Sequence, residues 1–122
     1  MYSYGTKLGR IFYITAMQEL IFEWDEYKNL ANIKKHGINF QEAKTCFEDD
    51  FAEMFSDIEH SESEDRYIFL GLSEILRTLV VIYTERSNIN EDQIVNRIIS
   101  ARKATKKEFL YYWKQRRQKE QK

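Results

Sequence analysis

Asn96-Arg97-Ile98-Ile99-Ser100-Ala101-Arg102-Lys103-Ala104-Thr105 runs from a strand pattern straight into a helix start, and the fold turns on how it is read. Strict alternation puts Val95, Arg97, Ile99 and Ala101 on one face of a strand and Ile94, Asn96, Ile98 and Ser100 on the other. Arg97 and Arg102 therefore sit on or just past a β-strand, beside Ser100, where an apolar strand by itself needs neither. Guanidinium groups fixed on a rigid sheet suit phosphate oxygens, so the segment reads as one wall of an RNA-cleaving site. The plainer alternative is two surface arginines at a strand edge.

Outward from this stretch, three strand patterns follow one another: Arg66 to Leu72, Leu76 to Thr84, and Gln93 to Ala101. Short polar connections between them imply an antiparallel meander. Phe51 to Ser56 alternates as a further strand. Thr105-Lys106-Lys107-Glu108 has the form of a capping box and opens a helix to about Gln118, striped by Phe109, Tyr112 and Trp113. Residues 119–122 are a charged tail expected to fray.

Upstream, Leu20 to Trp24 reads as a short strand and Asp25 as the N-cap of a helix over Glu26 to His36. Lys34, Lys35 and His36 fall in its last turn, and Gly37 supplies a left-handed C′ position. Asn39-Phe40-Gln41-Glu42 opens a second helix to about Phe47. Residues 1–19 show no clear period and are expected to be mobile or loosely packed, with Met17 an alternative start. The order β-α-α-β-β-β-β-α is an α+β pattern in a single domain over residues 20–118.

At 122 residues with no proline and four glycines, the chain is not linker-rich or disordered. Its single cysteine, Cys46, excludes an internal disulfide framework and fits a reducing cytoplasm. No apolar run is long enough to span a bilayer. The net charge of −1 does not advertise nucleic acid, but its distribution is uneven. Nine acidic residues and no Lys or Arg lie from Glu48 to Asp65, while ten Lys or Arg lie from Arg97 to Lys122. Two surfaces with different partners are expected.

Phe22-Glu23-Trp24-Asp25 with Lys28 and Asn29, Lys35-His36-Gly37, Phe40-Gln41-Glu42-Ala43, Asp57, His60-Ser61, Arg66, Gly71-Leu72, Thr84-Glu85-Arg86 and the Arg97–Thr105 run together resemble the BrnT family. That family is the toxin half of a bacterial type II toxin–antitoxin pair. The match covers about residues 20 to 112. It implies a RelE-like fold, a small mostly antiparallel sheet flanked by helices. It also implies a metal-independent endoribonuclease that blocks translation, needs no cofactor and is silenced by a cognate BrnA-like antitoxin. DNA would be met only through that antitoxin. The first 19 residues and the slightly acidic charge depart from the family.

Metal-free RNA cleavage needs a base for the 2′-OH, donors for the phosphorane and an acid for the leaving oxygen. His36, beside Lys34 and Lys35, is the candidate base or acid; the plainer reading is a helix C-cap cation. His60 lies in an acidic loop and is set aside. Arg66, Arg86, Arg97 and Arg102 are the phosphate candidates, with Lys35, Ser100 and Lys103 supporting RNA binding; the alternative is surface ion pairs worth little. Tyr67, Tyr83 and Trp24 could stack a base but suit a core role better. The two histidines and one cysteine make no zinc site. The competing function class is a non-catalytic partner-binding or operon-regulating module on the same fold.

Overall fold

Asp25 accepts from the backbone N–H groups of Tyr27 and Lys28, and this cap turns the chain from a short strand into its first helix. The computed structural model describes residues 2–7, 10–14, 20–60, 65–88 and 93–121. Its elements are β1 (Tyr2–Lys7), β2 (Arg10–Ile14), β3 (Ile21–Glu23), α1 (Glu26–His36), α2 (Phe40–Thr45), β4 (Glu53–Ser56), β5 (Arg66–Leu72), β6 (Thr78–Asn88), β7 (Gln93–Lys103) and α3 (Lys106–Glu120). Single 3-10 turns cover Cys46–Glu48 and Ile58–His60.

The sheet runs β1-β2-β3-β7-β6-β5-β4. β5 to β7 form the expected antiparallel meander, and β4 adds to it antiparallel beside β5. β3 joins beside β7 in parallel, so the sheet is mixed rather than purely antiparallel. The stretch expected to be loosely packed supplies β1 and β2, which extend the sheet beyond β3. At the other terminus α3 reaches Glu120 rather than ending at Gln118. Lys119 ties it down, donating to the Phe51 carbonyl at 3.3 Å and pairing with Glu53 at 3.1 Å.

Two cores sit on the two faces. On one, α1 and α2 cover Phe22, Leu79, Val81, Ile98 and Ala101 with Ile38, Phe40, Ala43 and Cys46. On the other, α3 lays Tyr112 over Leu70 and Val80, with Ile68, Leu72, Ile82 and Trp113 at the margin. Tyr112 is fully buried and donates to Asp49 at 2.5 Å, so it is a core residue rather than part of an open helical stripe. Asp49 also receives the N–H groups of Phe51 and Leu72, which pins the turn before β4 to β5.

β3 is too short to pair with β7 beyond Arg97. Asn32 of α1 takes over that edge: its Nδ2 donates to the carbonyls of Ala101 and Ile38, both at 2.8 Å, and its Oδ1 accepts from the Ala101 N–H at 3.1 Å. One buried amide thus satisfies three backbone groups that would otherwise be stranded.

β7 departs from strict alternation. Its ladder with β6 pairs Tyr83 with Ile98 and Ile82 with Ser100, leaving Ile99 as an extra residue. Such a bulge inverts the facing of everything beyond it. Ile98 and Ala101 consequently share the core under α1 and α2, whereas simple alternation sets them on opposite faces.

Candidate functional site: an arginine row across the sheet

The bulge and the strand registers place residues from four strands in one lateral row. Glu23 on β3 lies beside Arg97 on β7, Arg97 opposite Thr84 on β6, and Thr84 opposite Arg66 on β5. Laterally paired residues point to the same face of a sheet, so all four side chains emerge together. Asp57 extends the row one position beyond β4, its N–H donating to the Arg66 carbonyl at 2.9 Å. Arg86, two residues on from Thr84, points to the same side.

Glu23 organises the row at one end. It is only 1% exposed, and its Oε1 receives Arg86 Nη1 at 3.3 Å and Arg97 Nη1 at 3.4 Å. The carboxylate draws guanidiniums from two strands toward one another. Thr84, at the middle, is fully buried, and its Oγ1 makes no hydrogen bond among the described residues. At the far end, Ser56, Ile58, Asp65, Arg66 and Tyr67 line a hollow of about 290 Å³. The row lies on the α3 face of the sheet, at the end that the buried Tyr112 contacts do not reach, while Ser56 and Tyr67 pair with each other on the opposite face, so the hollow wraps the strand ends beside Arg66. Three arginines and one buried carboxylate, open to solvent at Arg86, form a cationic surface suited to bidentate contacts with phosphate oxygens.

Not every residue expected at the site comes here. Arg102 shares the face, but it pairs opposite Val80, four residues along β6 from Thr84 and roughly 14 Å away at ~3.4 Å per residue. There it makes a two-pronged pair with Glu108, at 2.7 and 2.9 Å, and stabilises the capping box of α3. That pair holds the Glu108 carboxyl down to about 2. Ser100 lies between Arg97 and Arg102 on the same face. Lys103 is opposite Leu79 and points to the other face.

His36 is not brought to the row. It ends α1, on the face that α1 and α2 cover, beside the αL residue Gly37. Arg77 donates to the Gly37 carbonyl at 3.4 Å just ahead of β6. That end of β6, Thr78, is six residues from Thr84, roughly 20 Å at ~3.4 Å per residue. Lys35 is exposed on the same helix. The neighbourhood is instead built on Glu42, which is buried and receives Arg77 and Ser73. Burial pushes the Glu42 carboxyl up, and these donors outweigh that and leave it below its ordinary value.

The histidine nearest the row is His60, which the sequence reading set aside. Its Nδ1 lies 3.0 and 3.1 Å from the two carboxylate oxygens of Asp57, the residue bonded across to Arg66. The Asp57-x-x-His60 spacing was visible in the sequence, but a loop rich in carboxylates masked it. Glu23 was also missed as a site residue, because an isolated carboxylate in an apolar strand reads as an edge residue. Trp24 and Tyr83 are buried and pack in the core, with Trp24 edge-on to Phe40 at 6.2 Å. Burial pushes the Tyr83 phenol up to about 12.

The chain is thus a small α+β domain that lifts a guanidinium row from the open end of a mixed sheet. A family model described as the ribonuclease toxin BrnT of type II toxin–antitoxin systems matches residues 24–108, and the chain belongs to that family. The family implies a ribonuclease toxin with a protein antitoxin as partner. Comparison with individually curated proteins finds no match. Among the described residues, no helix is long and apolar enough to cross a membrane.

Proposed function

We propose that the protein is an endoribonuclease toxin that binds the RNA backbone along the arginine row and cleaves it by attack of the 2′-OH on the adjacent phosphorus. The observation that carries this reading is the shared face of Arg66, Arg86 and Arg97. Their guanidiniums supply positive charge where a phosphorane develops negative charge, without calling on a metal. Thr84 adds a hydroxyl beneath the same row. A BrnA-like antitoxin would silence the enzyme by covering this surface, and the RelE-like character of the fold belongs to the same proposal. His36, Lys35, Arg102 and Lys103 would then contact RNA only along a longer track over the domain.

The test is cleavage of a defined RNA by purified protein with chelator present. Products ending in a 2′,3′-cyclic phosphate, and no cleavage when the scissile 2′-OH is replaced by hydrogen, are expected. Arg66→Lys and Arg97→Lys should lower cleavage by about 10²-fold with folding retained. Full activity in both variants, or cleavage of the 2′-deoxy substrate, would remove the row from the mechanism.

A further inference from the structure

Resting on the ribonuclease reading, the geometry points to His60, held by Asp57, as the general base that removes the proton from the 2′-OH. Three observations converge. Asp57 and Arg66 are joined through the backbone at 2.9 Å, so the dyad is anchored to the arginine row rather than carried on an independent loop. The Asp57 carboxylate faces the His60 Nδ1 with both oxygens within 3.1 Å. The Asp57 side chain is 13% exposed and that of His60 is 63% exposed, so the orienting group is sheltered while the imidazole is open to a macromolecular substrate.

A carboxylate at Nδ1 selects the tautomer in which Nδ1 carries the hydrogen and Nε2 keeps a lone pair. Nε2 is then the end of the imidazole that Asp57 does not hold, on the turn Ile58–His60 that also supplies Ile58 to the hollow beside Arg66. A phosphate on Arg66 would bring the neighbouring ribose to that hollow. In the step, the 2′-oxygen–phosphorus bond forms as the phosphorus–5′-oxygen bond breaks. Nε2 takes the 2′-OH proton and a water molecule gives a proton to the leaving 5′-oxygen. The imidazolium then returns its proton to the resulting hydroxide, so no water is consumed. Asp57 does not touch the substrate and is a positioning residue. His36, on the opposite face and at the other end of β6, cannot serve the same linkage.

The experiment compares full-length wild type, His60→Ala and Asp57→Asn on one RNA, with kcat and KM separated and imidazole added. His60→Ala should lose about 10²- to 10³-fold in kcat with KM little changed. Added imidazole should restore part of that loss, and should restore none in Asp57→Asn, where the ring is present but misdirected. Wild type inactive on every RNA would overturn the ribonuclease reading and this inference with it. An active wild type with His60→Ala at unchanged kcat would overturn this inference alone. A rise in KM without a fall in kcat would do the same, because it would make His60 a binding cation only.

Discussion

Glu23 and Arg97 lie side by side in the only parallel pairing among the described strands, and the same Glu23 oxygen that receives Arg97 also receives Arg86 from the strand beyond. A carboxylate buried this deeply is tolerable only while cations and donors surround it. Removing both guanidiniums, as in Arg86→Ala with Arg97→Ala, should destabilise the fold by about 3 kcal/mol by leaving a buried charge short of partners. Adding Glu23→Leu to that pair should recover most of the loss while leaving RNA cleavage abolished. Denaturant midpoints of the three proteins measure the first effect and a cleavage assay the second.

Asn32 makes its own prediction. It holds the Ala101 edge that β3 leaves open and the Ile38 carbonyl at the start of α2. Asn32→Leu fills the space but strands three backbone groups. A loss of about 3 kcal/mol is expected, against less than 1 kcal/mol for the exposed neighbour Ala31→Ser. Urea unfolding of both variants tests it.

The Arg102–Glu108 pair sets an acid limit. Glu108 sits at about 2 against an ordinary 4.5, chiefly through its bonds to Arg102. A carboxyl whose folded value is depressed adds stability above 4.5, and that stability is lost as pH falls toward 2. Both side chains are about a third or more exposed, so solvent screens the effect and the gain is modest. The melting temperature of wild type should therefore fall between pH 4.5 and 2 more steeply than that of Arg102→Ala, whose Glu108 titrates nearer its ordinary value. Equal slopes in thermal melts across this range would show that the pair contributes nothing.

Cys46 should be inert in the folded state. It is fully buried against Gly71, and burial pushes its thiol well above the ordinary value. Alkylation at pH 8 should proceed only through unfolding, and mass spectrometry should find it unmodified in native buffer and fully modified in denaturant. Gly71→Ala would expose the same packing: a Cβ there meets the Cys46 carbonyl at 3.2 Å and the Ala52 Cβ at 3.3 Å. That crowding should speed native-state alkylation.

The elements themselves were legible because local chemistry specifies them. Asp25, Asn39 and Thr105 each cap the helix expected of them, Gly37 takes the left-handed conformation at the end of α1, and the meander follows from three apolar runs joined by polar turns. Boundaries moved where tertiary contacts intervened, as when Lys119 carried α3 two residues past its expected end. Arg66, Arg86, Arg97 and Arg102 are alike as phosphate candidates by residue type and strand position. That only the first three share a row, apart from Arg102 and His36, was not legible.

Sequence by itself determined which segments become strands and helices, because caps, turn glycines and apolar periodicity act within a few residues. It also determined that the basic groups available for an anion lie on the strands. Only the tertiary structure decided which of them meet. One extra residue at Ile99 reverses the facing of the end of β7, and a parallel pairing brings Glu23 from the start of the chain to Arg97. Both depend on register between strands distant in sequence. Register is settled by which faces can be buried together, a property of the assembled sheet that no single segment carries.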